Sequence, residues 1–186
     1  MIKLEYFTRE DFKQLINWIE SEEFLWQWSA HTFEYPLTES QLEKYIEKAN
    51  YENASRMVYR AVDTETGKVV GHISFIAIDR KNNSARIGAV LVGDKNSRNT
   101  GIGKEILKEI LKLAFEKYKF HRVDLGVYDF NKAAISCYEK VGFVKEGFFR
   151  DCNKMGEEYW SSWNMSILEN EWCRNDNMEN KSTIEK

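Results

Sequence analysis

The segment with the clearest chemical meaning reads Arg-Asn-Thr-Gly-Ile-Gly-Lys at positions 98–104. It follows an apolar run at 87–92 and begins an amphipathic segment that continues to Tyr118. Two closely spaced glycines between a strand and a helix let backbone N–H groups converge on an anion, because no Cβ holds the ligand away. The unpaired amides of the first helical turn and the helix macrodipole also favour a phosphate there. The segment predicts a site for a phosphorylated ligand; the alternative is a glycine-rich turn before a surface helix.

Three known phosphate-binding patterns can be compared with this loop. A Walker loop requires glycine where Arg98 stands and Ser or Thr where Glu105 stands, so no hydroxyl is placed for magnesium. A dinucleotide fingerprint matches at Gly101 and Gly103, but Ile106 stands in place of its third glycine. The Arg98-x-x-Gly101-x-Gly103 spacing instead resembles the pyrophosphate loop of the GNAT family of N-acetyltransferases, which bind acetyl-CoA.

A second segment resembles the same family. Residues 131–143 follow the pattern Asn-x-x-Ala-x-x-x-Tyr-x-x-x-Gly-Phe, which is similar to the family's other hallmark. Together the two segments represent the half of the family's fold that binds the cofactor, which corresponds to about residues 69–143. The termini and an aromatic segment in the N-terminal half resemble, more weakly, the subgroup that includes ribosomal-protein N-terminal acetyltransferases.

The resemblance implies roles for individual residues in binding acetyl-CoA and transferring its acetyl group. Tyr138 is the implied catalytic residue, because its phenol can donate a hydrogen bond or a proton to the departing thiolate. The strand at 85–92 is implied to diverge from the strand at 122–128, which leaves a slot for the pantetheine arm. No metal is implied. The residues implied to contact the cosubstrate are Leu91, Val92, Gly93, Arg98, Gly101, Ile102, Gly103, Lys104 and Asn131.

Several of these positions also have a purely structural explanation. The side chain of Asn131 can cap the helix that follows it, and Tyr138 can simply pack on its own helix. Gly88 and Gly126 either permit close approach of the two strands or mark local twist. Many members of the family carry a glutamate near the position of Arg86, so the sequence assigns no general base.

Hydrophobic periodicity predicts one α+β domain. The predicted order is a strand, two helices, three antiparallel strands, a helix, a strand, a helix and two strands. This is also the order of the GNAT (acyl-CoA N-acyltransferase) fold, with a mixed, mostly antiparallel sheet and helices on both faces. Capping patterns at Thr8 and Thr38 begin the two N-terminal helices. We expect residues 1–168 to form the acetyltransferase domain and residues 169–186 a polar C-terminal tail.

Aromatic residues are concentrated between the two predicted N-terminal helices. Phe24, Trp26 and Trp28 are followed by Phe33 and Tyr35, which makes this connection too apolar for an ordinary solvated loop. Aromatic side chains of this kind can flank the acceptor or can fill the core. The pattern alone leaves both interpretations open.

Composition restricts the partners. The formal net charge is −3 over 186 residues, and basic residues alternate with acidic ones, which argues against a nucleic-acid surface. We expect no membrane partner because no apolar run reaches about 18 residues. Cys137, Cys152 and Cys173 cannot all pair and lack zinc-ligand spacing, so a reducing cytoplasm is expected.

The sequence thus predicts an acetyl-CoA-dependent N-acetyltransferase that acts by direct attack of a primary amine. The amine belongs to a small molecule or to a protein N-terminus. A non-catalytic acyl-CoA-binding module on the same fold and a nucleotide-binding protein are the alternatives. The chain is expected to be a monomer or a homodimer.

Overall fold

A seven-stranded sheet is the framework of the molecule. The computed structural model describes residues 1–98 and 100–172. Across the sheet the order is β1-β2-β3-β4-β5-β7-β6, and only β4 and β5 are parallel to each other. The predicted mixed, mostly antiparallel sheet is confirmed, and β4 lies at its centre. The strands are β1 (Ile2–Tyr6), β2 (Met57–Asp63), β3 (Val69–Asp79), β4 (Ser84–Val92), β5 (Arg122–Tyr128), β6 (Val144–Met155) and β7 (Glu158–Leu168).

Helices cover both faces of this sheet. On one face, Leu15, Leu25 and Leu42 belong to a buried cluster built around the N-terminal helices. On the other, Ile106 and Ile110 join the larger core beneath the C-terminal helices. The helices are α1 (Phe12–Trp18), α2 (Glu22–Ser29), α3 (Glu39–Ile46), α4 (Ile102–Lys112) and α5 (Lys132–Val141).

Both predicted capping patterns form in the structure. The backbone N–H of Thr8 donates to Asp11 Oδ2 at 2.8 Å, which completes a capping box ahead of α1. The hydroxyl of Thr38 accepts from the N–H of Gln41 at 3.4 Å and starts α3. These bonds satisfy amides that a helix start leaves without a partner.

The prediction of two helices between β1 and β2 is wrong, because the aromatic connection contains a third. Ser21 begins this helix, α2, by accepting a hydrogen bond from the N–H of Phe24 at 3.1 Å. Leu25 and Trp28, three residues apart, point to the same side and are buried. The serine cap and this spacing were the signals that could have identified it.

The ordered chain continues beyond the last strand. Trp172 is buried, and its ring stacks on Phe115 with centroids 6.1 Å apart. Residues 173–186, including Cys173, lie outside the described part of the chain. The division into a domain and a polar tail therefore stays a prediction.

Gly71 in β3 has no room for a side chain between β4 and α4. A Cβ on Gly71 would lie 2.5 Å from the backbone oxygen of Leu91 and 2.7 Å from Ile106 Cδ1. The oxygen belongs to the paired backbone of β4 and cannot rotate away. Only glycine fits at this point of the sheet.

Replacing Gly71 by alanine should destabilise the protein by about 2–3 kcal/mol, because the added methyl group overpacks a rigid contact. The matched change Gly147→Ala, whose Cβ would meet nothing nearer than 4.0 Å, should alter stability by less than about 0.5 kcal/mol. Urea unfolding of both variants measures the difference. Equal urea midpoints for the two variants would show that the atoms around Gly71 can move aside and accommodate a methyl group.

Candidate active site

The central feature of the site is the separation of β4 from β5. The two strands pair only from Ser84 with Arg122 to Ile87 with Leu125. Past that point β4 continues along β3 to Val92, whereas β5 stays paired with β7 to its end. A gap therefore opens between two neighbouring strands at the centre of the sheet, as the family resemblance implies.

A β-bulge turns β4 away from β5. His72 pairs with Leu91 and Ser74 with Gly88, so two residues of β4 oppose a single residue of β3. Ala89, inside the bulge, has φ of 51°, a left-handed conformation that is uncommon for residues other than glycine. A bulge bends its strand and increases the local twist.

Side chains of β3 hold the bulge in place. His72 Nδ1 donates to the backbone oxygen of Ala89 at 2.8 Å, and Ser74 Oγ donates to that of Gly88 at 3.0 Å. The hydroxyl of Tyr45 in α3 then donates to Ser74 Oγ at 3.0 Å. The buried helices of one face are thereby linked to the point where β4 bends.

His72 is neutral in the folded protein. It is fully buried among aromatic rings, with the ring centroids of Phe7 and Trp28 at 5.0 and 5.4 Å. This burial lowers the pKa of the imidazole from 6.5 to about 4. The hydrogen bond to a carbonyl oxygen requires the proton on Nδ1.

The backbone of Val92 faces the gap. The N–H of the next residue, Gly93, donates to Val70 in β3 at 2.9 Å, and backbone groups of successive strand residues point to opposite sides. On the gap side, the oxygen of Val92 accepts from Arg98 Nε at 3.1 Å. Gly93 is instead packed by Trp18, whose ring lies where a Cβ of Gly93 would stand, 2.1 Å away.

The glycine loop adds hydrogen-bond donors at one end of the gap. Gly101 is the N-cap of α4 with φ of 95°, so the first amides of that helix project from the loop. The guanidinium of Arg98 lies 5.4 Å from the ring centroid of Phe24. Its Nη2 atom is buried and has no hydrogen-bond partner among the described residues.

Helix α5 brings Tyr138 to the gap. The side chain of Asn131 accepts from the N–H of Ala134 at 3.1 Å and caps the helix, and Gly142 ends it in the left-handed conformation. Tyr138 is 7% exposed, and burial raises the pKa of its phenol well above the usual value of 10. At neutral pH the phenol is a hydrogen-bond donor.

One cavity of about 1000 Å³ unites these parts. Gly93 and Ile102 are not among its lining residues, and Ile102 packs against the core instead. Eight of the ten residues implied by the resemblance line it: Leu91, Val92, Arg98, Gly101, Gly103, Lys104, Asn131 and Tyr138.

The cavity also contains polar groups that the sequence did not identify. Tyr128, at the end of β5, has a buried hydroxyl without a partner in the described chain, and burial raises its pKa to about 12. Gln27, Thr32 and Ser162 add an amide and two hydroxyls. These residues come from segments far apart in the chain, so spacing could not group them.

Arg86 forms an ion pair where the two strands separate. Its Nη1 donates to Asp124 and, at 2.9 Å, to Asn164 Oδ1. A Cβ on Gly126 would lie 2.8 Å from Arg86 Nη2, and one on Gly88 the same distance from the side chain of Ile76. The two glycines thus make room for side chains and not for approach of the strands.

The acidic residues and histidines of the N-terminal half do not reach the cavity. Glu22, Glu23, His31 and Glu34 are exposed on the surface, and none of them is a lining residue. His72 is fully buried among the rings of Phe7 and Trp28 and is not a lining residue either. The geometry therefore assigns no general base.

Comparison with known proteins identifies the family. The family model for the acetyltransferase (GNAT) domain matches residues 2–144. The uncharacterized N-acetyltransferase YnaD of Bacillus subtilis is 28% identical over 135 residues, which cover 73% of this chain and 76% of YnaD. The spermidine N(1)-acetyltransferase of Vibrio cholerae is 22% identical over 171 residues, which cover 92% and 95% of the two chains. This chain belongs to the GNAT family.

The fold agrees with that assignment. The crystal structure of the Vibrio cholerae spermidine N-acetyltransferase in complex with CoA and spermine matches with a TM-score of 0.79 at 21% identity, over 92% of this chain and 98% of that one. Membership of the GNAT family makes the chain an N-acetyltransferase with acetyl-CoA as its cosubstrate. In the described part of the chain, no helix is long and apolar enough to span a membrane.

The cavity fits acetyl-CoA chemically. The buried, unpartnered Nη2 of Arg98 can donate to a phosphate oxygen, and the left-handed Gly101 leaves nothing within 4 Å of the place where a Cβ would stand. Amides at the start of α4 are oriented for an anion. The gap beside Val92 has the open strand edge that an extended arm with amide groups can pair with.

Stability should depend on pH through His72. The unfolded imidazole binds a proton at pH values between about 4 and 6.5 where the folded one does not, so its stabilising effect is complete above pH 6.5 and is lost as the pH falls toward 4. When the pH falls from 7.5 to 5, the free energy of unfolding of the unmodified protein should decrease by about 2 kcal/mol more than that of His72→Asn. Chemical denaturation at both pH values measures this, with exposed His121→Asn as control. An equal decrease in the unmodified protein and in His72→Asn would contradict the conclusion that His72 is neutral and buried.

Proposed function

We propose that this chain transfers the acetyl group of acetyl-CoA directly to a primary amine of a small molecule. The observation that supports this most is the single cavity in which the gap between β4 and β5, the glycine loop and the Tyr138 phenol meet. The Vibrio cholerae relative, whose solved structure has the same fold, is a spermidine acetyltransferase, and spermidine is a small amine. A thiol-release assay over a panel of amines and peptides tests the proposal.

The cosubstrate is held by backbone groups more than by side chains in this proposal. The amides that follow Gly101, together with Arg98 and Lys104, bind the pyrophosphate as hydrogen-bond donors and positive charges. Leu91 and Val92 lie beside the pantetheine arm, and the N–H of Val92 pairs with it. Asn131 uses its oxygen as a helix cap, which leaves its amide nitrogen for the cosubstrate.

Bound acetyl-CoA supplies an activated thioester, and Tyr138 assists its cleavage. A phenol has an ordinary pKa of about 10 and a thiol one of about 8.5, so full proton transfer from the phenol to the thiolate is uphill by about 2 kcal/mol. Burial raises the pKa of the Tyr138 phenol further. Tyr138 therefore acts by hydrogen bonding to the sulfur as that atom gains charge. This contribution exists only while the carbon–sulfur bond is breaking, so it lowers the barrier without tightening binding.

The acceptor must arrive as a neutral amine. Deprotonation at pH 7 costs about 4.6 kcal/mol for an alkylamine with a pKa of about 10.4. It costs only about 1.4 kcal/mol for an α-amine with a pKa of about 8. The described lining residues include no carboxylate or imidazole that could take this proton. We propose that the proton leaves to solvent through the open mouth of the cavity.

We propose that the reaction takes place in the cytoplasm, where thiols are reduced. Cys137 and Cys152 are free thiols in the described chain, which agrees with a reducing compartment. A monomer or a homodimer is proposed as the active form.

Removing the Tyr138 hydroxyl should separate catalysis from binding. Tyr138→Phe is expected to lower kcat by about 10²- to 10⁴-fold and to leave the Kd for acetyl-CoA unchanged, since the hydroxyl acts on the leaving sulfur. The exposed Tyr51→Phe serves as control. Steady-state kinetics and calorimetry measure the two effects. A fully active Tyr138→Phe would remove this residue from the mechanism.

Removing the Arg98 guanidinium should weaken cosubstrate binding. Arg98→Ala is expected to raise the Kd for CoA by about 10- to 100-fold, because a charge-assisted hydrogen bond to a phosphate is lost. The control Arg150→Ala removes an exposed guanidinium on β6 and should have no effect. Calorimetry with CoA gives both values. An unchanged Kd would exclude Arg98 from the pyrophosphate site.

A further inference from the structure

We infer that the acceptor amine also carries a carboxylate, as an amino acid or a short peptide does, and that Arg86 binds this carboxylate. This inference rests on the proposed function and specifies its substrate class. The observations that support it are the distribution of charge in the cavity and the free edge of the Arg86 guanidinium.

The sheet divides the cavity into two sides. Along β5, Leu125 and Val127 face the core beneath α4 and α5, whereas Gly126 and Tyr128 face the opposite side. The glycine loop and α5 border the first side, where the cosubstrate is proposed to bind. On the second side, residues of α2 and the segment after it, such as Gln27 and Thr32, lie over the sheet. We assign this second side to the acceptor.

Positive charge predominates in the whole cavity. Its charged lining residues are Arg86, Arg98, Lys104 and Lys140, and no aspartate or glutamate is among the lining residues of the described chain. Arg98, Lys104 and Lys140 belong to the glycine loop, α4 and α5, on the cosubstrate side. Among the charged lining residues of the described chain, Arg86 is the one on a strand, and its guanidinium lies over Gly126 on the acceptor side.

Arg86 is held in one orientation and still has donors to offer. Asp124 and Asn164 both accept from Nη1, which fixes the plane of the guanidinium over Gly126. Its Nε and Nη2 make no hydrogen bond to any residue in the described chain. The side chain is 38% exposed. The Nε–Nη2 edge matches the two oxygens of a carboxylate, and a fixed guanidinium loses little freedom on binding.

The same arrangement disfavours a polyamine. A polyamine carries several positive charges and no anionic group, and the acceptor side offers it a guanidinium and no lining carboxylate. The carboxylate of Asp124 is already paired with Arg86. Phe24 and Trp28 border this side, so an apolar substituent on the acceptor has an aromatic surface to contact.

Matched acceptor pairs test the substrate class. L-phenylalanine against phenethylamine and L-leucine against isoamylamine differ in the carboxylate, and spermidine provides a polycation. Because the carboxylate also changes the pKa of the amine, each kcat/KM is calculated on the concentration of neutral amine. The carboxylate member of each pair should have a kcat/KM higher by about 10- to 100-fold, because it gains charge-assisted hydrogen bonds. Equal or better use of the decarboxylated amines, or of spermidine, would overturn the inference and leave the proposed acetyl transfer intact.

Variants of Arg86 test the residue. In Arg86→Gln combined with Asp124→Asn, no carboxylate is left unpaired, so the fold is protected. This protein should show a KM for L-phenylalanine raised by about 10- to 100-fold, with little change in kcat or in the KM for acetyl-CoA. Arg86→Lys should restore part of the loss. Arg9→Gln, which removes a surface ion pair with Glu43, is the matched control. An unchanged KM would exclude Arg86.

A binding measurement separates the two levels of the proposal. Fluorescence of Trp28 and the other tryptophans can be followed while each amine is titrated into the protein–CoA complex. Tighter binding of the carboxylate member, lost in the double variant, supports the inference whatever the turnover. Absence of that preference overturns it. Failure to bind CoA, or turnover with none of the amines, would instead count against the proposed function.

Discussion

The site depends on the hydrogen bonds that bend β4 away from β5. An open strand edge in the middle of a sheet is costly because its backbone groups lose their partners. In this protein His72 and Ser74 bond the oxygens released by the bulge, and Arg98 bonds the oxygen of Val92. Because those oxygens have hydrogen-bond partners, the gap can stay open, while β4 remains paired with β3 and β5 remains paired with β7.

The helices on one face support the same arrangement. Tyr45 bonds Ser74, and aromatic rings surround His72 and keep it neutral. A protonated imidazole there would carry an unpaired charge in an apolar surrounding. The N-terminal helices therefore contribute to the site twice, because α2 also borders the cavity through Trp28. A substitution in the buried cluster around the N-terminal helices is therefore expected to change the geometry of the gap as well.

The sheet and the glycine loop explain the cosubstrate side of the proposed site, but they do not explain the acceptor side. GNAT proteins share the sheet and the glycine loop, so these features define acetyl transfer and carry no information about the acceptor. Arg86 and its partners Asp124 and Asn164 come from three different strands. They meet only because β4, β5 and β7 are adjacent in the sheet. Such a cluster is where specificity can differ between proteins of one fold.

The sequence by itself determined the order of the strands and of the helices other than α2, the caps at Thr8 and Thr38, and the two motifs that border the cavity. Those signals are local: glycines where a Cβ would intrude, a serine or threonine at a helix start, and apolar residues at the period of a strand or helix. Helix α2 was missed because its aromatic residues pack on both sides, which obscures the helical period. The tertiary structure alone decided that Gly93 packs against Trp18, that Arg86 pairs with Asp124, and that Tyr128 enters the cavity. Each of these contacts joins segments distant in the chain, and only the folded sheet sets their distances.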